Sequence, residues 1–225
     1  MDPLAIRQHF HSGVYTDGSD LYTRSLIDVR QRGDRVVKGD NGFDYRSFPP
    51  NGTKLAAIVK MGVTRWPFTS DSRVLYLGAG AGTTVSYMAD VCPQGQIYAV
   101  EFAPEPFRSL VEIARARTNV VPILADARTP AAYTTQVGMP VDVVYQDVAQ
   151  RDQWDIAHRN ALALLAPEGW IVLVVKASSV DVAIPATEVY ANVRSAIKSC
   201  GLHLEEVIDL DPFDREHAVF IVRRS

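Results

Sequence analysis

From Val74 onward the chain alternates short apolar runs with segments whose apolar residues recur at helical spacing. The runs are VLYLG (74–78), IYAVE (97–101), VPILAD (121–126), VDVVYQDV (141–148) and IVLVVKA (171–177). Such continuous Val, Ile and Leu content is that of strands covered on both faces, the condition of a parallel sheet. Segments 83–92, 104–117, 152–165 and 186–200 have the helical spacing and would cover it. The tail breaks the alternation, because LHLEEVIDLDPF (202–213) and HAVFIVRR (217–224) are two strand-like runs with only a turn between them. The pattern predicts an α/β fold: a Rossmann-like, mostly parallel sheet closed by a C-terminal antiparallel hairpin.

Residues 1–52 read differently. They are rich in Gly, Asp, Arg and Tyr, and short alternating pieces such as GVYTDG, LYTRSL and RVVKGD are separated by turn residues. A small hairpin-rich N-terminal unit over 1–52 is expected, followed by one larger domain over 53–225. The stretch FPPNG (48–52) breaks the chain, and TKLAAIVKMGV then has helical spacing with Thr53 as its cap.

Composition narrows the classes. With 225 residues, 47% hydrophobic and 22% charged, the chain can bury a full core. No apolar run approaches the roughly 20 residues of a membrane helix, and MDPLAIRQHFHSG lacks the apolar centre of a secretory signal, so a cytoplasmic protein with no membrane partner is expected. Cys92 and Cys200 show neither metal-ligand nor redox spacing; free thiols and no metal site are expected. A net charge of −3 argues against a protein that grips nucleic acid unaided. It leaves room for RNA held jointly with basic partners. There are five lysines against eighteen arginines, so the position of each lysine carries information.

Ligands of open parallel sheets bind beyond the carboxyl ends of the strands. Here those ends are polar: Gly78-Ala79-Gly80-Ala81-Gly82-Thr83-Thr84 after the first, then Glu101-Phe102, Asp126-Ala127, Asp147 and Lys176. The alternate glycines suit a tight turn that lets a ligand approach the backbone. Glu101 follows the first glycine at the separation from which an acid can accept both hydroxyls of a bound ribose, though it could instead cap the helix begun by APEPF. Asp126 is placed to meet a base edge or to cap the segment after it. Thr83 and Thr84 begin a helix whose positive end can hold a carboxylate. Phe102 offers adenine a flat face, or fills the core. This set fits a dinucleotide or S-adenosylmethionine. The G-x-G-x-G spacing, the antiparallel ending and the absence of any Tyr-x-x-x-Lys pair favour the second and resemble class I methyltransferases.

The segments NGTKLAAIVKMG, VLYLGAGAGTTVSYMAD, GQIYAVEFAP, VYQDVAQRDQ, LLAPEGWIVLVVKASSVDV and DPFDREHAVFIV, in this order, resemble the fibrillarin family in its archaeal form. The resemblance implies an S-adenosylmethionine-dependent ribose 2′-O-methyltransferase of the box C/D guide-RNA particle, acting on rRNA and tRNA. It implies cofactor contacts from Gly78, Ala79, Gly80, Thr83, Thr84, Glu101, Phe102, Asp126, Ala127 and the run Asp147-Val148-Ala149-Gln150. It also implies a Lys-Asp-Lys-His catalytic array at Lys54, Asp147, Lys176 and His217. Lysine can serve as a base where arginine cannot, so Lys176 is expected to take the hydroxyl proton, with Lys54 biasing its protonation and Asp147 orienting the pair. The implied partners are guide and target RNA, a Nop-domain scaffold protein and a kink-turn-binding ribosomal-type protein. Ser178 and Gly52 stand where the family leads one to expect basic residues, which weakens direct phosphate contact, and the Gly-Arg-rich tail of eukaryotic relatives is missing. His9, His11, His158 and His203 read as surface residues. Two other classes stay open: a same-fold enzyme methylating a protein side chain such as glutamine, and a non-catalytic nucleoside-binding subunit.

Overall fold

A computed structural model describes residues 5–27 and 34–224. The five apolar runs form β6 (Arg73–Leu77), β7 (Gln96–Glu101), β8 (Val120–Leu124), β9 (Val141–Gln146) and β10 (Leu165–Lys176), and the tail forms β11 (His203–Asp209) and β12 (His217–Arg223). These seven strands make one sheet of order β11-β12-β10-β9-β6-β7-β8. Strands β6 to β10 pair in parallel, whereas β12 is antiparallel to both β10 and β11. The sequence-predicted architecture is the observed one, with one boundary moved. Strand β10 begins at Leu165, inside a segment whose apolar spacing reads as helix.

Helices cover both faces. On one lie α1 (Lys54–Lys60), α2 (Thr83–Val91) and α3 (Pro104–Ala116). Thr53 caps α1 as its position in the sequence predicts, its hydroxyl accepting from the Leu55 amide at 3.3 Å. The other face is covered chiefly by α5 (Gln153–Leu164) and α7 (Ala186–Ser199), with two one-turn helices, α4 (Thr134–Val137) before α5 in the chain and α6 (Ala177–Val180) between α5 and α7. Strand alternation sorts the core accordingly. Val143, Tyr145, Val172, Val174, Val219 and Ile221 pack toward α1 and α2, and Val144, Leu173, Val175 and Phe220 pack toward α5 and α7.

The N-terminal residues form a second, antiparallel sheet of order β1-β2-β3-β5-β4. Its strands are β1 (Arg7–Gln8), β2 (Val14–Thr16), β3 (Leu21–Arg24), β4 (Val36–Lys38) and β5 (Asp44–Ser47). Val14, Leu21 and Phe48 join the core that contains Val85, Tyr87 and Val91 of α2. A buried ion network crosses the same contact. Arg46, 2% exposed, meets Asp34 at 2.9 Å and Asp90 at 3.2 Å while stacking on Tyr87, and Arg117 approaches Asp90 from the far side at 3.5 Å. Burial raises the pKa of the Asp90 carboxyl despite both arginines. Removing one partner of such a cluster typically costs about 3–5 kcal/mol, because a charge is left uncompensated.

His11 departs from its surface assignment. It is 3% exposed and stacks on Trp66 with ring centroids 5.0 Å apart. Both cysteines are free, Cys92 buried and Cys200 exposed. Among the described residues, no helix is long and apolar enough to cross a membrane.

Candidate active site

The chain builds β6, β7 and β8 outward in one direction and then returns to place β9 on the other side of β6, so the topological switch point lies between β6 and β9. There the strand ends part and leave a crevice. Two backbone facts shape it. Gly78 has φ +80°, and a Cβ on it would collide with the Asp147 carbonyl and meet Val148 Cγ1 at 2.8 Å. The bare backbone at Gly78 therefore admits the neighbouring strand end at Asp147. Gly82 has φ +89° and turns the chain straight into α2.

A cavity of about 350 Å³ opens at this point, within the usual size for a small-molecule site. Gly78, Glu101, Phe102, Asp126, Ala127 and the run Asp147, Val148, Ala149 and Gln150 all line it, joined by Arg128 and Ile156. Ala79, Gly80 and Thr83 are not on its wall. Ala79 is buried with its amide on the Val100 carbonyl at 3.0 Å, and Thr84 borders a smaller neighbouring crevice. Phe102 is 63% exposed, which removes its alternative reading as a core residue. Both carboxylate oxygens of Glu101 are engaged by backbone amides. One carboxylate oxygen accepts from the Gly80 amide and the other from the Ala103 amide ahead of α3, each at 2.8 Å. Asp126 likewise accepts from the Arg128 amide at 2.9 Å and pairs with its guanidinium at 2.6 Å. These ionic contacts draw the Asp126 pKa below the usual carboxylate range. Asn160, fully buried, hydrogen-bonds the Ala127 carbonyl at 2.8 Å and receives the Tyr133 hydroxyl, which pins this wall from beneath.

Asp147 also lines the second, smaller crevice with Thr53, Lys54, Thr84, Phe213 and Asp214. The ammonium of Lys54 lies 2.9 Å from Asp147 and 3.5 Å from Asp214. Burial works to lower the Lys54 pKa, but the two carboxylates outweigh it and hold the group above its ordinary value. Lys54 is therefore a fixed cation. His217 is 7% exposed and directly faces Lys176 across the β10–β12 ladder, so both side chains leave the sheet on one side. That side is the one from which Val172, Val174 and Val219 reach α1, and Asp147 continues the same alternation after Tyr145. Lys54, Asp147, Lys176 and His217 thus belong to one face at one end of the sheet. The side-chain amide of buried Gln153 fixes the end of β10, accepting from the Lys176 amide at 3.1 Å and donating to its carbonyl at 3.4 Å. The Lys176 ammonium has no ion-pair or hydrogen-bond partner among the described residues, and these contain no cluster of His, Cys, Asp and Glu arranged to hold a metal.

Sequence reasoning passed over Asp214, Gln153, Asn160 and Tyr133. Asp214 had a signal, since it lies within DPFDREH three residues before His217. The other three act through contacts between distant segments that leave no local pattern.

The sheet order and the position of the cavity define a class I methyltransferase-type α/β protein. The model of the family described as Fibrillarin matches residues 6–225. The chain belongs to the fibrillarin family. It is 42% identical to a Pyrobaculum neutrophilum protein named fibrillarin-like rRNA/tRNA 2′-O-methyltransferase, over 100% of this chain and 99% of the relative. Among solved structures it is similar to Aeropyrum pernix fibrillarin with natively bound S-adenosyl-L-methionine, at TM-score 0.88, 38% identity and 99% coverage of each chain. A fibrillarin in complex with Nop5p superposes with TM-score 0.87 and 36% identity, covering 97% of this chain and 100% of the other.

Proposed function

We propose that this chain is the catalytic subunit of a box C/D guide-RNA particle and methylates the ribose 2′-oxygen of rRNA and tRNA from S-adenosylmethionine. The observation that carries the reading is the meeting at Asp147 of a nucleoside-sized cavity and a face bearing two lysines and a histidine. A passive nucleoside-binding subunit has no use for that face.

The cavity suits the methyl donor. Phe102 exposes an aromatic face to adenine, Glu101 offers a buried carboxylate to the ribose, Asp126 stands at the base edge, and Thr83 and Thr84 sit in the first turn of α2, where a carboxylate is favoured. S-adenosylmethionine supplies a methyl group already activated by the sulfonium charge. The protein's task is then mostly alignment, worth roughly 7–11 kcal/mol, with proton removal adding about 10²–10⁴-fold. Lys54, held charged by Asp147 and Asp214, fixes the crevice floor. Lys176 stands free at the strand end to meet the ribose hydroxyl.

A net charge of −3 suits an enzyme whose RNA is held by others. Guide pairing would select the nucleotide. The relative solved with Nop5p supports a Nop-domain scaffold as docking partner, and a kink-turn-binding protein would complete the particle. The test is methyl incorporation by the assembled particle with and without guide RNA. The reading expects transfer only when guide and matching target are both present. Transfer indifferent to guide, or into protein, would replace it with the side-chain methyltransferase reading.

A further inference from the structure

The turn between β11 and β12 carries a carboxylate to which the site reading above gives no part of its own in the reaction. One oxygen of Asp214 lies 3.5 Å from Lys54 Nζ, and the other lies 2.8 Å from Nδ1 of His217. The same Nδ1 is 2.8 Å from the Arg215 carbonyl. Nδ1 hydrogen-bonds the Arg215 carbonyl, which can only accept, and the Asp214 carboxylate beside it at ion-pair distance favours the same arrangement, so the proton belongs on Nδ1. The ring cannot be turned over, because a carbon would then stand at 2.8 Å from two oxygens, whereas C–H···O contacts lie at about 3.3–3.6 Å. A neutral ring protonated at Nδ1 leaves the lone pair on Nε2, and Nε2 has no protein partner among the described residues.

The turn is built to hold this geometry. The Asp214 amide donates to the Leu210 carbonyl, the Leu210 amide to the His217 carbonyl, and the Ala177 amide, just past Lys176, to the Glu216 carbonyl, each at 3.0 Å. Glu216 has φ +58°. A side chain there costs about 1–2 kcal/mol, and such conformations persist where surrounding contacts enforce them, often beside functional groups. This one immediately precedes His217.

Resting on the methyl-transfer reading, we propose that Asp214 is a positioning residue that holds His217 in its Nδ1–H form, so that Nε2 receives the proton of the ribose 2′-hydroxyl. The O–H bond breaks and its electron pair stays on oxygen. That oxygen forms the new O–CH₃ bond as the S–CH₃ bond breaks, its pair passing to sulfur to leave a neutral thioether. The released proton goes to Nε2, and the negative charge of the Asp214 carboxylate, 2.8 Å from Nδ1, stabilises the imidazolium. Lys176, opposite His217 in the ladder, acts as the cation beside the developing oxygen charge.

Two measurements test this. Nitrogen-resolved NMR of the isolated full chain, with the His217 resonances assigned by comparison with His217→Gln, reads the tautomer directly at neutral pH. The Nδ1–H form is expected; an Nε2–H or doubly protonated ring overturns the proposal, and this measurement does not depend on whether any variant folds. In the assembled particle, Asp214→Asn is expected to lower the single-turnover rate by about 10²-fold, within the range of acid–base contributions, while S-adenosylmethionine affinity changes less than about threefold. A rate within twofold of wild type overturns the role of Asp214. A wild-type particle that methylates no guided RNA counts against the reaction itself, and the tautomer measurement separates that failure from this one.

Discussion

Glu101→Gln probes the cofactor cavity where the geometry is most demanding. The wild-type carboxylate is 7% exposed and accepts two backbone amides, Gly80 and Ala103, each at 2.8 Å. Glutamine keeps one acceptor oxygen and puts an NH₂ group against the other amide, so one charge-assisted bond becomes a donor–donor contact. Losing such a bond costs about 1.5–3 kcal/mol. If the carboxylate also accepts the ribose hydroxyls, the loss appears in binding, and at about 1.4 kcal/mol per tenfold it weakens affinity roughly 10- to 150-fold. Urea denaturation reads the part of the cost that falls on the glycine turn, and calorimetric titration of the folded variant with S-adenosylmethionine reads the rest. A dissociation constant within twofold of wild type would refute the reasoning and put the ribose elsewhere.

Three further outcomes are expected. Phe102→Ala removes a stacking surface worth about 1–3 kcal/mol per base; affinity should fall while the unfolding midpoint hardly moves, because the ring is 63% exposed, and unchanged affinity would place adenine off this face. Lys176→Ala should lower the single-turnover rate at least about 10²-fold, whereas Lys176→Arg, which keeps the charge, should retain most of it; an arginine variant as poor as the alanine variant would put the hydroxyl proton on Lys176 after all. Burial, helped by the charge of His9, pushes His11 down from 6.5 to about 4, so as pH falls through 6.5 the unfolded chain takes up a proton that the folded chain refuses until about 4. Stability should fall across that window by up to about 3 kcal/mol, and His11→Phe should flatten the dependence of urea midpoint on pH; an equally steep variant would deny His11 this role.

The large sheet was readable because its information is local. Val-rich runs, helical spacing and a two-strand tail each declare themselves within a dozen residues, and Thr53 caps the helix its position announces. The strand ends were readable for a related reason: once five parallel strands are placed, their polar ends must share one edge. The start of β10 was not. Leu165 and Ala166 continue the apolar spacing of α5, and only pairing with Val141 draws Leu165 into the sheet. The buried charges were invisible too. Arg46 and Asp90 lie 44 residues apart in a hairpin and a helix, and each alone reads as a solvated residue. His11 sits in a polar stretch and is buried by Trp66 from beyond α1. Asp214 reads as one more acid in a turn until the two residues it bridges, Lys54 and His217, are brought together.

The claim on which the account rests is that one face of the sheet, beside a nucleoside cavity, delivers a methyl group to a ribose 2′-oxygen. The most direct measurement uses labelled S-adenosylmethionine, the assembled particle and two target strands that differ only in a single 2′-deoxyribose at the guided nucleotide. Incorporation into the unmodified strand and background incorporation into the deoxy strand are predicted. Equal incorporation into both would place the methyl on another atom and contradict the account.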